Sequence, residues 1–496
     1  MHPLRLSLAL FLCCALFAGC AATRSSTTCP AEHGATWREL RSEHFRLRTD
    51  LESQEAARAL VQLERYRRAV LLDWVQHFDP PGTTDVVLLQ DSRALQTLIG
   101  RRALWAGRVT LDGAELLLSA DQLARLDEVG SSTTLSPLYV LAYPLTWQAM
   151  PAEPRWLAEG LARYVQTVQL EKGGHVTLGD PQRAALKALR DYGRLLSIEQ
   201  LWRWGVHAPE HAGASAWLWV HYLLSAQPQR FSDFRTRLHH GEEAYAAFQA
   251  TFAGVDWNQE QQRLAAYAMK GDYRIVRTEL PEVFVDPQLR RMEDGDVHRL
   301  RAELAAWSGQ GAAAHQQRVR EEAALAQQHD AAGFSTRWLA AAARPVAERL
   351  DAARQLARDF PQEAEAWQLL ADMLELADGP AGERAEALTR ALALAPQLPH
   401  TLNSYAWYFA NEGADAARAL EPARTAMRLA PHHPYVVDTY ALVMAKLGHC
   451  EEARALQRRA LTRITQGDPS APRMSMRLED YEQRCKPAGT ATTASP

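Results

Sequence analysis

The chain has 496 residues, 47% of them hydrophobic and 23% charged, and 55 Lys and Arg stand against 59 Asp and Glu for a formal net charge of −4. That length exceeds what one hydrophobic core supports, so two or more domains are expected. The composition is that of an ordinary folded protein, and the near-balanced charge, without an arginine-lysine run, excludes a nucleic-acid partner.

The N-terminus carries Arg5, an apolar run from Leu6 to Phe17, then Ala18, Gly19 and Cys20. The run is too short to span a bilayer as a mature helix and reads as a targeting segment. Residues 1–19 resemble a bacterial lipoprotein signal peptide, whose cleavage implies Cys20 as the lipid-modified first residue. Phe17 departs from the Leu usual three residues before that cysteine, and a soluble secreted form cut near Ala22 is the alternative. Ala21 and Ala22 put no acidic residue beside the lipid site, which favours the outer membrane, facing the periplasm. Residues 20–36, rich in Ser, Thr and Ala, are expected to form a flexible tether. No other apolar stretch is long enough to cross a membrane, so the lipid is the expected membrane contact.

Strand-like patterns follow at Phe45–Arg48, Asp85–Gln90, Trp105–Thr110 and Glu115–Ser119, and helical ones at Glu52–Phe78, Ser136–Met150, Arg155–Leu170 and Ala214–Ser225. Val140 to Tyr164 reads V-L-A-Y-P-L-T-W-Q-A-M-P-A-E-P-R-W-L-A-E-G-L-A-R-Y. This block resembles the peptidase-MA-like family of gluzincin-type domains, where it typically reads H-E-L-T-H and then W-L-x-E-G-L-A-x-Y. Trp37–Asp50 is similar to the family's opening strand, and Ala214–Tyr267 to its later helices. The resemblance implies an α+β zincin-like domain over residues 37–272.

In such a peptidase, two histidines at i, i+4 grip Zn²⁺, the intervening Glu activates its water, and a Glu on the next helix completes the set. Here Tyr143, Pro144 and Trp147 occupy the His, Glu and His positions, and only Glu159 is kept. Phenol and indole are not zinc ligands at neutral pH, and one carboxylate does not hold the metal. Within a helix capped by Ser136 and opened by Pro137, Pro144 removes the backbone bond to Val140 and is expected to bend the rod. Tyr143 and Trp147 then fill the volume of metal and water. The expected domain is non-catalytic, without metal or cofactor. The rival is an active zinc peptidase that brings distant histidines to Glu159.

Residues 273–296, with Pro281 and Pro287, are expected to be a junction, and 297–470 a helical array. Leu370-Ala371, Tyr405-Ala406 and Tyr440-Ala441 recur every 35 residues, as do Pro361, Pro396 and Pro431. This is close to the tetratricopeptide period. Ala364–Gln397, Pro399–His432 and Pro434–Gly467 resemble tetratricopeptide (TPR) repeats, with Gly413 and Gly448 at turns and Ala419, Ala426, Ala453 and Ala460 on second helices. Val297–Phe360 keeps helical spacing with weaker marks. An all-α solenoid after an α+β domain makes the chain mostly helical. Residues 471–485 are expected to cap it, and 486–496 to be a disordered tail.

The TPR resemblance implies that the inner helix face binds a protein or peptide, placing Gln368, Asp372, Glu375, Asn403, Trp407, Tyr435 and Asp438 on that groove; Trp407 packed against the neighbouring domain is the alternative. Helix B of the last repeat starts near Cys450 and an antiparallel cap ends near Cys485, so these two are the expected disulfide; two free thiols, or an intermolecular bond from Cys29, are the alternatives. His207 and His211 flank Pro209 and read as loop residues, and His221 as a core histidine. No Gly-rich phosphate loop or G-x-S-x-G elbow is present.

Overall fold

The computed structural model describes residues 29–72, 78–99, 105–126, 135–192, 195–205, 207–308, 311–412, 415–464 and 467–484. The signal segment, Cys20, Gly413, Cys485 and the tail lie outside the described residues. Residues 29–36, expected to belong to the tether, are folded: Cys29 is fully buried and precedes a single 3-10 turn at Pro30–Glu32.

A six-stranded mixed sheet has the order β4-β5-β3-β2-β1-β9. Its strands are β1 (Arg38–Arg41), β2 (Phe45–Thr49), β3 (Thr84–Leu89), β4 (Ala106–Thr110), β5 (Gly113–Ser119) and β9 (Gln288–Arg291). β2, β3 and β5 run parallel at the centre, and antiparallel pairings add β4 on one side and β1 with β9 on the other. β3 and β5 end in runs that are apolar on both faces, as strands covered on both sides require, whereas β2 alternates Phe45 and Leu47 with Arg46 and Arg48. Val86, Leu88, Leu116 and Leu118 point into the larger core, shared with α1 (Ser53–Leu71), α4 (Pro137–Ala149), α5 (Arg155–Val165) and α8 (Ala212–Ala226). Val87, Leu89 and Leu117 point the other way, onto α2 (Ser92–Ile99) and α12 (Asp294–Ala305). This is the period-two alternation of a three-layer unit. Between α2 and α4 lies the short α3 (Ala120–Leu123), and α6 (Arg183–Tyr192) and α7 (Ile198–Trp202) lie between α5 and α8.

Two boundaries differ from expectation. α5 stops at Val165 rather than running to Leu170; the Thr167 hydroxyl donates to the Tyr164 carbonyl (2.8 Å), and Gln169–Leu170 forms β6 of a small sheet with β7 (His175–Leu178) and β8 (Val276–Glu279). The junction is also no linker, because it supplies β8 to the small sheet and β9 to the edge of the large one.

Glycine decides one helix crossing. A Cβ at Gly160 of α5 would lie 2.6 Å from the Ala216 carbonyl oxygen of α8, so these helices meet backbone to backbone in a way alanine would block. Three further helices, α9 (Pro228–His239), α10 (Ala244–Thr251) and α11 (Trp257–Lys270), complete this half.

The second half is a stack of helix pairs of tetratricopeptide type. After α13 (Ala312–His329), α14 (Phe334–Ala343) and α15 (Val346–Asp359) come three pairs: α16 (Ala364–Leu376) with α17 (Ala381–Leu394), α18 (Pro399–Asn411) with α19 (Ala416–Leu429), and α20 (Pro434–Lys446) with α21 (Cys450–Arg463). Ala371, Ala406 and Ala441 on the first helices are buried, as are Ala387, Ala423 and Ala453 on the second, where small side chains let the helices approach. α22 (Ala471–Arg484) closes the stack by laying Met474 and Tyr481 on Val437, Ala441, Leu456 and Ala460 of the last pair. Among the described residues, no helix is long and apolar enough to cross a membrane.

The array folds back on the first half. The turn joining β4 and β5 enters it: Leu111 packs with Leu402, Leu429 and Val436, and Asp112 accepts a bond from the His400 amide (2.9 Å) at the start of α18. His432 donates from Nε2 to the Thr110 carbonyl (2.9 Å).

Candidate functional site

α4 continues through Pro144, and Ser136 sits at its N-cap without a side-chain capping bond; its amide instead donates to Gln166 Oε1 (2.9 Å). Glu159, on α5, is buried with both oxygens engaged. The Tyr139 hydroxyl donates to Oε2 (2.8 Å), and Arg163 Nε, one helical turn on, donates to Oε1 (2.6 Å). Burial pushes the Tyr143 phenol up to about 12, so it stays protonated at neutral pH and offers no phenolate to a metal. Its ring meets Trp147 edge-on at 6.2 Å between centroids.

Trp147 is fully buried, and its cover comes from the far end of the chain. The Arg463 guanidinium of α21 lies 4.1 Å from the indole centroid and donates to the Pro151 carbonyl (2.6 Å) and to that of Pro431. Arg459 reaches the same Pro151 oxygen. Glu153, in the turn between α4 and α5, is buried beside this pair, and burial pushes its carboxyl up to about 8. The motif region is therefore an internal contact between the two halves.

The open space lies elsewhere. A cavity of about 800 Å³ separates the β1–β2 end of the sheet from the inner faces of α14, α16 and the start of α18. The sheet side contributes Arg41, Ser42, Glu43, Arg46, Asp85 and Asp112, and Asp286 and Gln288 flank them. The array side contributes Trp338, Glu365, Gln368, Asp372 and His400. Arg46 and Asp85 face each other in register on parallel strands and pair through two bonds, Nη2 to Oδ2 being 2.8 Å. Arg299 is shared between Glu303 and Glu365. Asp372 lies 3.8 Å from His400 and holds the imidazole above its ordinary value, and burial raises the Asp112 carboxyl.

The seven groove residues chosen from sequence fall into separate settings. Gln368 and Asp372 line the cavity, where Gln368 Nε2 donates to Asp372 Oδ1 (2.8 Å) and Gln368 Oε1 is buried without a partner. Glu375 pairs with Arg384 (2.6 Å), and Asn403 is half-buried. The last three belong to the cap: Arg477 lies 5.2 Å over Trp407 and pairs with the buried Asp438, and the Tyr435 hydroxyl donates to Asp468 (3.1 Å). Trp407 thus packs against α22 rather than against the first half. Arg41, Arg46, Asp112 and His400 were not selected from sequence; the Arg46–Asp85 pair across adjacent strands was the available signal.

Cys450 is disulfide-bonded, and Cys485, the partner expected for it, lies outside the described residues. Cys29 is free. His221 is a satisfied core residue, with Nε2 2.9 Å from the Gly179 carbonyl and Nδ1 2.8 Å from the Tyr267 hydroxyl.

No family model matches the chain, and no curated protein does. Among solved structures, a thermophilic TPR protein of Thermus thermophilus, TTC0263, is similar over 38% of this chain and 99% of its own, at 15% identity and a TM-score of 0.28. YrrB, a TPR protein described as having an unusual peptide-binding site, is similar over 37% of this chain and 91% of its own, at 16% identity and a TM-score of 0.28. Human IFIT1, solved as a dimer with m7Gppp-AAAA, is similar over 74% of this chain and 77% of its own, at 15% identity and a TM-score of 0.31. With identities and scores this low, the repeat architecture rests on the chain's own helix pairs. The peptidase likeness of residues 37–272 rests on the sequence block alone.

Proposed function

We propose that the protein is a non-catalytic envelope scaffold that receives a segment of a partner protein between its two halves. In this reading residues 37–272 are a degenerate peptidase-like domain, a lipid on Cys20 holds the chain at the outer membrane facing the periplasm, and Cys450 pairs with Cys485. The observation that carries the proposal is the cavity between the sheet end and the inner helix faces, set against motif positions that are spent on internal contacts. Glu159 is saturated by Tyr139 and Arg163, and Trp147 lies under Arg463. Both arrangements support a structural role for the block.

The lining suggests the ligand's charge. Arg41, Arg46 and Arg299 are tied to carboxylates and Asp372 is paired with His400, which leaves Glu43, Asp112 and Asp286 to tip the balance acidic. An extended segment carrying Lys or Arg suits it. Fluorescence anisotropy of the mature chain with labelled lysine-rich and glutamate-rich peptides tests this. The lysine-rich peptide is expected to bind at least tenfold tighter, and the Glu43→Lys/Asp286→Lys double variant to abolish the difference. Equal binding of both peptides overturns the reading. Peptide cleavage lost together with bound zinc in Glu159→Ala would replace it with the peptidase reading.

A further inference from the structure

We infer that Cys29, His298 and His329 form a binding site for a transition-metal ion of the Zn²⁺ class, which fastens the segment preceding β1 to the first helices of the array. The sulfur of Cys29 and one ring nitrogen from each histidine lie within 4.8 Å of one another, the one such grouping of His, Cys, Asp and Glu donors among the described residues. Thiolate with imidazole is the donor set zinc prefers over oxygen-seeking cations. The inference does not depend on the peptide-binding reading.

The second observation concerns His298, which is fully buried on α12. Its Nδ1 lies 2.8 Å from Glu322 Oε2, and the other oxygen of Glu322 is held by Arg301 at 3.1 Å. A proton on Nδ1, donated to that carboxylate, leaves Nε2 with a bare lone pair. Nε2 is buried and has no hydrogen-bond partner. A carboxylate behind the non-ligating nitrogen is the arrangement that orients metal-bound histidines and strengthens them as donors. Glu322 thereby becomes a positioning residue, one step removed from the ion.

His329 ends α13 and is exposed, with its ring parallel to that of His298 at 6.0 Å between centroids. Tetrahedral zinc, with bonds of ~2.0–2.3 Å, sets its donors roughly 3.5 Å apart. The three groups, none more than 4.8 Å from another, therefore close by at most about 1.3 Å when an ion enters, a movement the exposed His329 side chain supplies by rotation. Its solvent side leaves a fourth position for water. Positions 29, 298 and 329 are too far apart in sequence to form a metal motif. The fold gathers them by packing Cys29 with Trp37 against Val297 and Leu300.

The test uses the full mature chain, purified without a polyhistidine tag, dialysed, and titrated with Zn²⁺ and with Co²⁺. Elemental analysis is expected to find one equivalent of zinc, and cobalt to develop a sulfur-to-metal charge-transfer band. Cys29→Ser should abolish the band, and His329→Ala, at an exposed position, should weaken binding at least tenfold with an unchanged circular dichroism spectrum. Glu322→Gln should weaken it tenfold to a hundredfold. A wild-type chain that binds neither metal overturns the inference. So does wild-type affinity in both Cys29→Ser and His329→Ala, or binding that disappears in Glu159→Ala instead.

Discussion

Arg463→Ala probes the contact that joins the two halves. The guanidinium gives up its bonds to the Pro151 and Pro431 carbonyls and its place 4.1 Å above the Trp147 ring. Charged hydrogen bonds are each worth about 1.5–3 kcal/mol, and a desolvated cation–π contact about 2 kcal/mol. Against that sum of roughly 5–8 kcal/mol stands the several-kcal/mol cost of holding an arginine out of water, which the mutant no longer bears. Burial depresses this guanidinium's proton affinity well below the usual arginine range, so that cost is real at this site. The net expectation is a loss of about 2–4 kcal/mol, because the alanine variant also leaves the Pro431 carbonyl and an indole face beside a hole, while Arg459 still donates to the Pro151 oxygen. Equilibrium urea unfolding followed by tryptophan fluorescence reads it as a lower midpoint of the first transition. Limited proteolysis should show faster cleavage near the 273–296 segment. Arg463→Lys keeps the charge without the fork and should fall between the two. A midpoint within experimental error of wild type would refute the reasoning, since it would mean that the array does not lean on the motif helices.

Glu159→Ala should lower the thermal midpoint, because Tyr139 and Arg163 lose their shared buried acceptor; the expected cost is about 2–4 kcal/mol, and an unchanged melt would remove the structural role assigned to this carboxylate. Glu153→Gln should alter the pH dependence of stability. Burial raises the folded carboxyl from 4.5 to about 8, so between those values the folded chain keeps a proton that the unfolded chain has lost. The contribution is complete below about 4.5 and is lost as pH rises towards 8. Denaturation curves across that window should show Glu153→Gln gaining on wild type with rising pH, by up to about 1.4 kcal/mol per unit; parallel curves would contradict the assignment.

The period in the second half was legible because each repeat solves the same packing problem locally. Ala371, Ala406 and Ala441 stand where a larger side chain would part the helices, and Pro399 and Pro434 open helices at the predicted positions. Strands β3 and β5 were legible for a similar reason, since runs of Val and Leu bounded by turn residues need both faces covered, and β2 through its alternation of Phe45 and Leu47 with arginines. Long-range pairing was not. Nothing around Trp147 announces Arg463, more than three hundred residues away, and nothing in the repeats tells that α22 takes Trp407 and Asp438 while Asp468, just before it, takes Tyr435. The cavity was hidden for the same reason, since each half supplies only one wall. Cys29 read as part of a tether because Ser, Thr and Ala around it say nothing of α12.

An open stack of helix pairs has two apolar ends, and here they are covered differently. At the C-terminal end α22 lays Met474 and Tyr481 over the last pair and fixes itself through Arg477 and Asp438. At the other end α12 serves twice. Its Val297, Leu300 and Leu304 form the second face of the large sheet, while Ala302 packs with α13 and α14 as the first layer of the array. One helix shared by both cores leaves no place for a hinge there, and β9 adds a ladder of backbone bonds just before it. The β4–β5 turn and the Arg459–Arg463 contact then pin the array a second time, far along its length. Fixed at two separated points, the inner faces of α14 and α16 are held at a set distance from the sheet. The cavity is therefore preformed, and a segment bound there as proposed would impose little ordering cost on the scaffold's side.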